Sequence, residues 1–154
     1  MDYKETVKIM LDHGLLKEQR IDFKQIEALL YRAQKDLFVS RVNLEFDEEA
    51  TYTYAYLAML RCGRAIIYMK NYRPADGQQH KTVIELAGKI LGKGFNDIIN
   101  KFDSMRRKRN QFTYDPSMPV SKFEAENALK TSEEFVEKII EIVKKENPQQ
   151  KFNF

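Results

Sequence analysis

The stretch EEATYTYAYLAMLRCGRAIIYMKNY, residues 48–72, decides the architecture. Wound as a helix, it carries apolar side chains on nearly every face, with acids at its start and Lys70 near its end, the charge order that a helix dipole favours. A helix that is apolar all round belongs in the middle of a bundle. The stretch is therefore read as a buried central helix, and the rest of the chain has to surround it.

The flanking segments supply that surround. Asp22 and Gln25 form a capping box with Ile21 and Ile26 as its hydrophobic staple, and Phe23, Ile26, Leu30, Ala33 and Leu37 follow at helical spacing, which predicts a helix over about residues 22–40. Ser121 and Glu124 repeat the device ahead of Ala128, Leu129, Phe135, Val136, Ile139, Ile140 and Val143, predicting a long final helix that runs to about residue 146. HKTVIELAGKILGKG reads as a shorter helix ended at Gly92 or Gly94, and FNDIINKFDSMRRKRNQFTY as another ended by Asp115-Pro116. An initial helix in YKETVKIMLDHG makes six, five of them substantial. Six Gly and four Pro leave few places for β turns, so no strand is expected. The fold class is all-α, an antiparallel helical bundle of five to six helices.

At 154 residues, 43% hydrophobic and 32% charged, the chain is expected to form one domain over residues 1–146, burying roughly two-thirds of its unfolded surface. RPADGQ (73–78) and DPSMP (115–119) read as loops inside it, and residues 147–154 as a flexible tail. The first ten residues are charged throughout and no run of 18 apolar residues occurs, so neither a signal peptide nor a membrane span is expected, and the location is expected to be cytoplasmic. Cys62 is the single cysteine, which excludes an internal disulfide and a cysteine-based zinc cluster. In LRCGRAII it reads as a small buried apolar residue.

A net charge of +3 is too mild to argue for nucleic acid except through clustering. The cluster is RRKRNQFTYDP, residues 106–116. At about 100° per residue, Arg106 and Arg109 fall within about 40° of Phe102, the centre of the apolar stripe Phe95, Ile98, Phe102 and Met105, whereas Arg107 and Lys108 point away. A guanidinium on a core-facing stripe is costly unless it meets a carboxylate, an interface or an anion in a cleft. Asn110 and Tyr114, four apart, can meet beside Arg109 if the helix persists that far. The bland reading is that basic residues close the helix against its dipole, with Arg106 or Arg109 paired to Asp103, Asp115 or an acid from another helix.

The order of elements, from YTYAYLAMLRCGRAIIYMKNYRPADGQQHKTVIELAG to FDSMRRKRNQFTYD, resembles the HEPN domain over roughly residues 45–115. Its most specific part is Arg109-Asn110 with Tyr114 after three intervening residues, which looks like the family's Arg-Asn-x-x-x-His signature. GQQHKTVIEL, with a turn and then His80, is similar to a feature of the small nucleotidyltransferase-associated members. The resemblance implies a homodimer of helical bundles whose Arg-Asn motifs share a cleft. It further implies either a metal-independent ribonuclease, often a toxin of a toxin–antitoxin or defence system, or a companion of a minimal nucleotidyltransferase. In ribonuclease members the His acts in acid/base chemistry and the Arg stabilises the phosphorane charge.

This sequence departs from that pattern, because Tyr114 stands in the His position. A phenol titrates about three units above the range suited to a general base at neutral pH. The alternative register puts Phe112 in the His slot, so both lack the imidazole. His80 is the secondary candidate to replace it, although a lone histidine near a turn more often caps or lies on the surface. His13 is weaker still. No Glu-x-x-His pair, P-loop, dinucleotide glycine pattern or Gly-x-Ser-x-Gly elbow is present, so no metal or cofactor is expected. Tyr52, Tyr54, Tyr56, Tyr68 and Tyr72 suggest base stacking, but most sit in the apolar helix and are read as core or dimer packing. The apolar breadth of residues 50–72 points to an isologous two-fold contact. The expected function is RNA or nucleotide binding by Arg106, Arg109, Asn110 and Tyr114, as a non-catalytic or weakly active partner in a nucleotidyltransferase-linked or defence-type system. An active ribonuclease is the first alternative, and a structural dimer with arginine salt bridges the second.

Overall fold

The computed structural model describes residues 1–75 and 79–154. Six α-helices follow one another: α1 (Tyr3–Asp12), α2 (Phe23–Asn43), α3 (Glu48–Met69), α4 (His80–Leu91), α5 (Asn96–Tyr114) and α6 (Lys122–Glu146), with a short 3-10 turn at Lys93–Phe95. The capping boxes Asp22/Gln25 and Ser121/Glu124 open α2 and α6, and a third, Asp2/Glu5, opens α1. Each satisfies backbone donors that a helix start leaves unpaired. Gly92, at φ 86°, ends α4 in a conformation that other residues rarely adopt.

The central position of α3 is observed. It packs against α2, α4, α5 and α6, and twelve of its residues, from Thr51 to Ile67, are buried. Its apolar breadth is thus used inside the chain and does not by itself call for a second copy. Tyr56, Met59, Leu60, Ile66 and Ile67 of α3, with Leu30, Leu86, Phe102, Phe135 and Ile139 from the surrounding helices, fill the core. Cys62 is fully buried within it.

Polar cross-links hold the helices in register. Ser40 Oγ donates to the Thr51 carbonyl (2.7 Å) while Thr51 Oγ1 donates to the Ser40 carbonyl (2.9 Å). Ser132 Oγ donates to the Ala55 carbonyl (2.7 Å), tying α6 to α3. The Asp36 carboxylate, with no exposed surface, receives Arg32 Nε at 3.1 Å and Arg61 Nε at 3.3 Å. Each buried polar group here finds a partner, as burial requires. At Gly63 the Val83 side chain of α4 packs so close to the α3 backbone that a Cβ would lie 2.8 Å from Val83 Cγ1.

The expectation of no strands is corrected by a small antiparallel ribbon. β1 (Leu16–Glu18) pairs with β2 (Tyr72–Pro74), Leu16 opposite Pro74. It forms because the segments leaving α1 and α3 are brought side by side, with Leu16 buried and Asn71 turning at φ 61° to accept the Ile21 N–H on its Oδ1 at 3.2 Å. β2 therefore takes the start of the expected 73–78 loop, and Asp76 to Gln78 lie outside the described residues. After α6 the chain has no regular structure, but Phe152 stacks on Phe23 (5.5 Å) and Phe154 lies against Tyr31 (6.1 Å).

Candidate functional site

The four cations at the end of α5 have four different fates. Arg106, 17% exposed, donates from Nε to Asp103 Oδ1 at 2.9 Å. This is the pairing of the bland reading. Arg107 is 63% exposed and reaches the same carboxylate at 3.6 Å. Lys108 corrects the wheel, which sent it to solvent: only 22% exposed, it donates to the Pro119 carbonyl at 3.1 Å and lies 3.3 Å from Glu124. The cause is α6, whose start folds back along that flank of α5. Arg109 pairs with no carboxylate among the described residues, and its Nε is buried without a hydrogen-bond partner.

Arg109 lies over Tyr56, with its guanidinium carbon 6.0 Å from the ring centroid, at the outer limit of a cation–π contact. Tyr56 is fully buried, edge-on to Phe102, and its hydroxyl lies 3.0 Å from His80 Nδ1. Burial pushes the Tyr56 phenol well above its ordinary value, against the pull of Arg109, Arg106 and Arg64. The phenol thus keeps its proton and shares a hydrogen bond with the His80 ring. The three guanidiniums close enough to act on one phenol come from α3 and α5, with Asp103 as the acid beside them. Burial also pulls the Arg64 guanidinium below its ordinary value, with Arg61 adding to the effect.

The structure thus brings Arg106, Arg109 and His80 together around Tyr56, where α3, α4 and α5 meet. It does not bring Tyr114 there: α5 does persist to Tyr114, but that side chain is 86% exposed at the last helical residue. Asn110 is half-buried on the turn beyond Arg106. Phe112, the occupant of the His slot in the other register, is a core residue edge-on to Tyr52 (5.6 Å, 87°). The residues that the sequence reading missed at this site are Tyr56 and Arg64, two turns apart on α3. Their only sequence signal was polarity within an apolar helix.

Among the described residues, no group of His, Cys, Asp or Glu is placed to hold a metal ion, and no helix is long and apolar enough to cross a membrane. The HEPN domain family model matches residues 26–144, well over half of the chain. No curated protein and no solved structure matches it.

Proposed function

The chain belongs to the HEPN domain family, and from that premise we propose that the Arg109 cluster, where α3, α4 and α5 meet, binds a phosphate of RNA or of a nucleotide. Arg109 is the principal contact, with Arg106 and His80 at its sides and Asn110 on the adjoining turn. The observation that carries this reading is the buried, unpartnered Nε of Arg109. A guanidinium so placed lacks the acceptor its burial demands, and a phosphate oxygen supplies one with opposite charge.

With Tyr114 in place of the signature histidine, the protein acts as a non-catalytic or weakly active binding partner, in a nucleotidyltransferase-linked or toxin–antitoxin type of system. Tyr114 itself, out in solvent, contributes to binding only through contacts beyond the cluster. HEPN domains commonly dimerise, and this reading includes a homodimer. One observation favours the metal-independent ribonuclease as a second reading: His80 is bonded to the tyrosine over which Arg109 lies, so an imidazole does stand near the phosphate position.

The test is fluorescence anisotropy with single-stranded RNA over a salt series. Arg109→Ala should weaken binding at least tenfold and flatten the salt dependence, and Arg107→Ala should change it far less. Lys108 is unsuitable as the control because it braces α5 against α6. Equal losses at Arg107 and Arg109 would replace the cluster with a diffuse basic surface. Cleavage of the same RNA in chelator by the wild type, lost in His80→Ala with binding kept, would promote the ribonuclease.

A further inference from the structure

A cavity of about 580 Å³ lies between α5 and α6, inside the range of small-molecule sites. Its floor is apolar and buried, made by Met105, Ala128 and the ring of Tyr52. Its walls are polar, with Asn100, Lys101 and Ser104 on α5 and Glu124, Asn127 and Thr131 on α6. Phe123 stands at the rim and is 71% exposed.

Two features mark this as more than a surface furrow. Tyr52 is only 7% exposed, yet its hydroxyl makes no hydrogen bond to any described residue, and the side chain lines the groove. The hydroxyl is not sealed in the core, so it presents an open donor and acceptor to the groove. Phe123 is the second feature: a large aromatic at the first turn of α6 that packs into no core of its own chain.

The lining selects the ligand. Of the two charged residues at the groove, Glu124 is already engaged with the Ser121 N–H and with Lys108, leaving Lys101. Amides on opposite walls each offer a donor and an acceptor, which complements the mixed donor and acceptor edge of a heterocyclic base. An exposed phenyl face suits stacking of a planar ring. We propose that the α5–α6 groove is a nucleobase pocket, in which Phe123 stacks on the ring, Asn100 and Asn127 hydrogen-bond its edge, and the Tyr52 hydroxyl bonds the ring's innermost polar atom. The base belongs either to a free nucleoside or nucleotide or to an unpaired residue of a polynucleotide. The groove shares no lining residue with the Arg109 cluster.

The test uses the full chain and uncharged probes, so that the Arg109 cluster contributes nothing. Adenosine, guanosine, cytidine and uridine are titrated calorimetrically, and an oligoribonucleotide is compared with its abasic counterpart by anisotropy. At least one nucleoside should saturate, with little response to salt. Tyr52→Phe, which removes only the hydroxyl, should weaken it about 2- to 10-fold, and Phe123→Ala about 5-fold or more. Arg109→Ala should leave nucleoside binding unchanged, which separates this pocket from the phosphate reading. Binding of the oligonucleotide alone, reduced by both groove variants and by abasic substitution, would assign the pocket to a polynucleotide base. If no nucleoside saturates and the groove variants leave oligonucleotide binding unaltered, the pocket is not a base site. A Phe123→Ala change that instead splits a dimer without altering either ligand would make the groove a contact between copies and overturn the proposal.

Discussion

The hydroxyl of Tyr56 and Nδ1 of His80 lie 3.0 Å apart, a bond that joins the middle of α3 to the first residue of α4. It fixes the start of α4 against the core at the point where Arg109 crosses the tyrosine ring. Tyr56→Phe keeps the ring and its contact with Phe102 but removes this bond to His80. The expected cost is about 0.5–1.5 kcal/mol in chemical denaturation, accompanied by weaker phosphate binding as the α4 side of the cluster loosens. Unaltered stability and binding together would show that the bond positions nothing.

Arg109 offers a test of structural against functional roles. A guanidinium that braced the fold through an ion pair would cost several kcal/mol to remove. Here it has no carboxylate among the described residues and holds only a distant contact with Tyr56. Arg109→Leu is therefore expected to change stability by less than about 1 kcal/mol while abolishing RNA binding. A loss above about 3 kcal/mol in urea denaturation would assign the residue to the fold.

The approach of α3 to α4 at Gly63 leaves no room for a methyl group, with Val83 Cγ1 at 2.8 Å and Phe102 at 3.6 Å from its place. Alanine favours a helix over glycine by about 1 kcal/mol, but overpacking costs about 1–3 kcal/mol. Because both neighbours are fully buried, the steric term should win and Gly63→Ala should destabilise the protein. Adding Val83→Ala should relieve part of that strain, and a double-mutant cycle measures the coupling. Net stabilisation by Gly63→Ala alone would contradict the packing described.

Glu124 carries a pH dependence of known sign. The Ser121 N–H, and after it Lys108, hold its carboxyl below the ordinary glutamate value. A depressed folded-state value means that the unfolded chain binds the proton more tightly, so the contribution is present above the ordinary value and is lost as pH falls through the folded one. Glu124→Gln should therefore be less stable than wild type at neutral pH, with the gap closing in acid. The check is paired denaturation curves between pH 7 and pH 3, and a gap that stayed constant would show that the charge contributes nothing.

What the sequence determined was local. The boxes Asp22/Gln25 and Ser121/Glu124 marked the starts of α2 and α6 because a cap is made within one turn, by residues three apart. The central helix was legible because all-round apolarity has no other stable placement. Arg106 and Arg109 could be placed on the core side of α5 from the 100° step alone. The sequence could not say which of them had an acid: Asp103 serves Arg106 at 2.9 Å, while Arg109 is turned onto Tyr56, 53 positions earlier in the chain. The same holds for Lys108, drawn in by Glu124 across a loop, and for Tyr114, which shares Arg109's helix yet ends in solvent. The β1–β2 ribbon joins two segments of three residues each, too short to show a period. These features depend on contacts between distant segments, and only packing around α3 decides which of those segments meet.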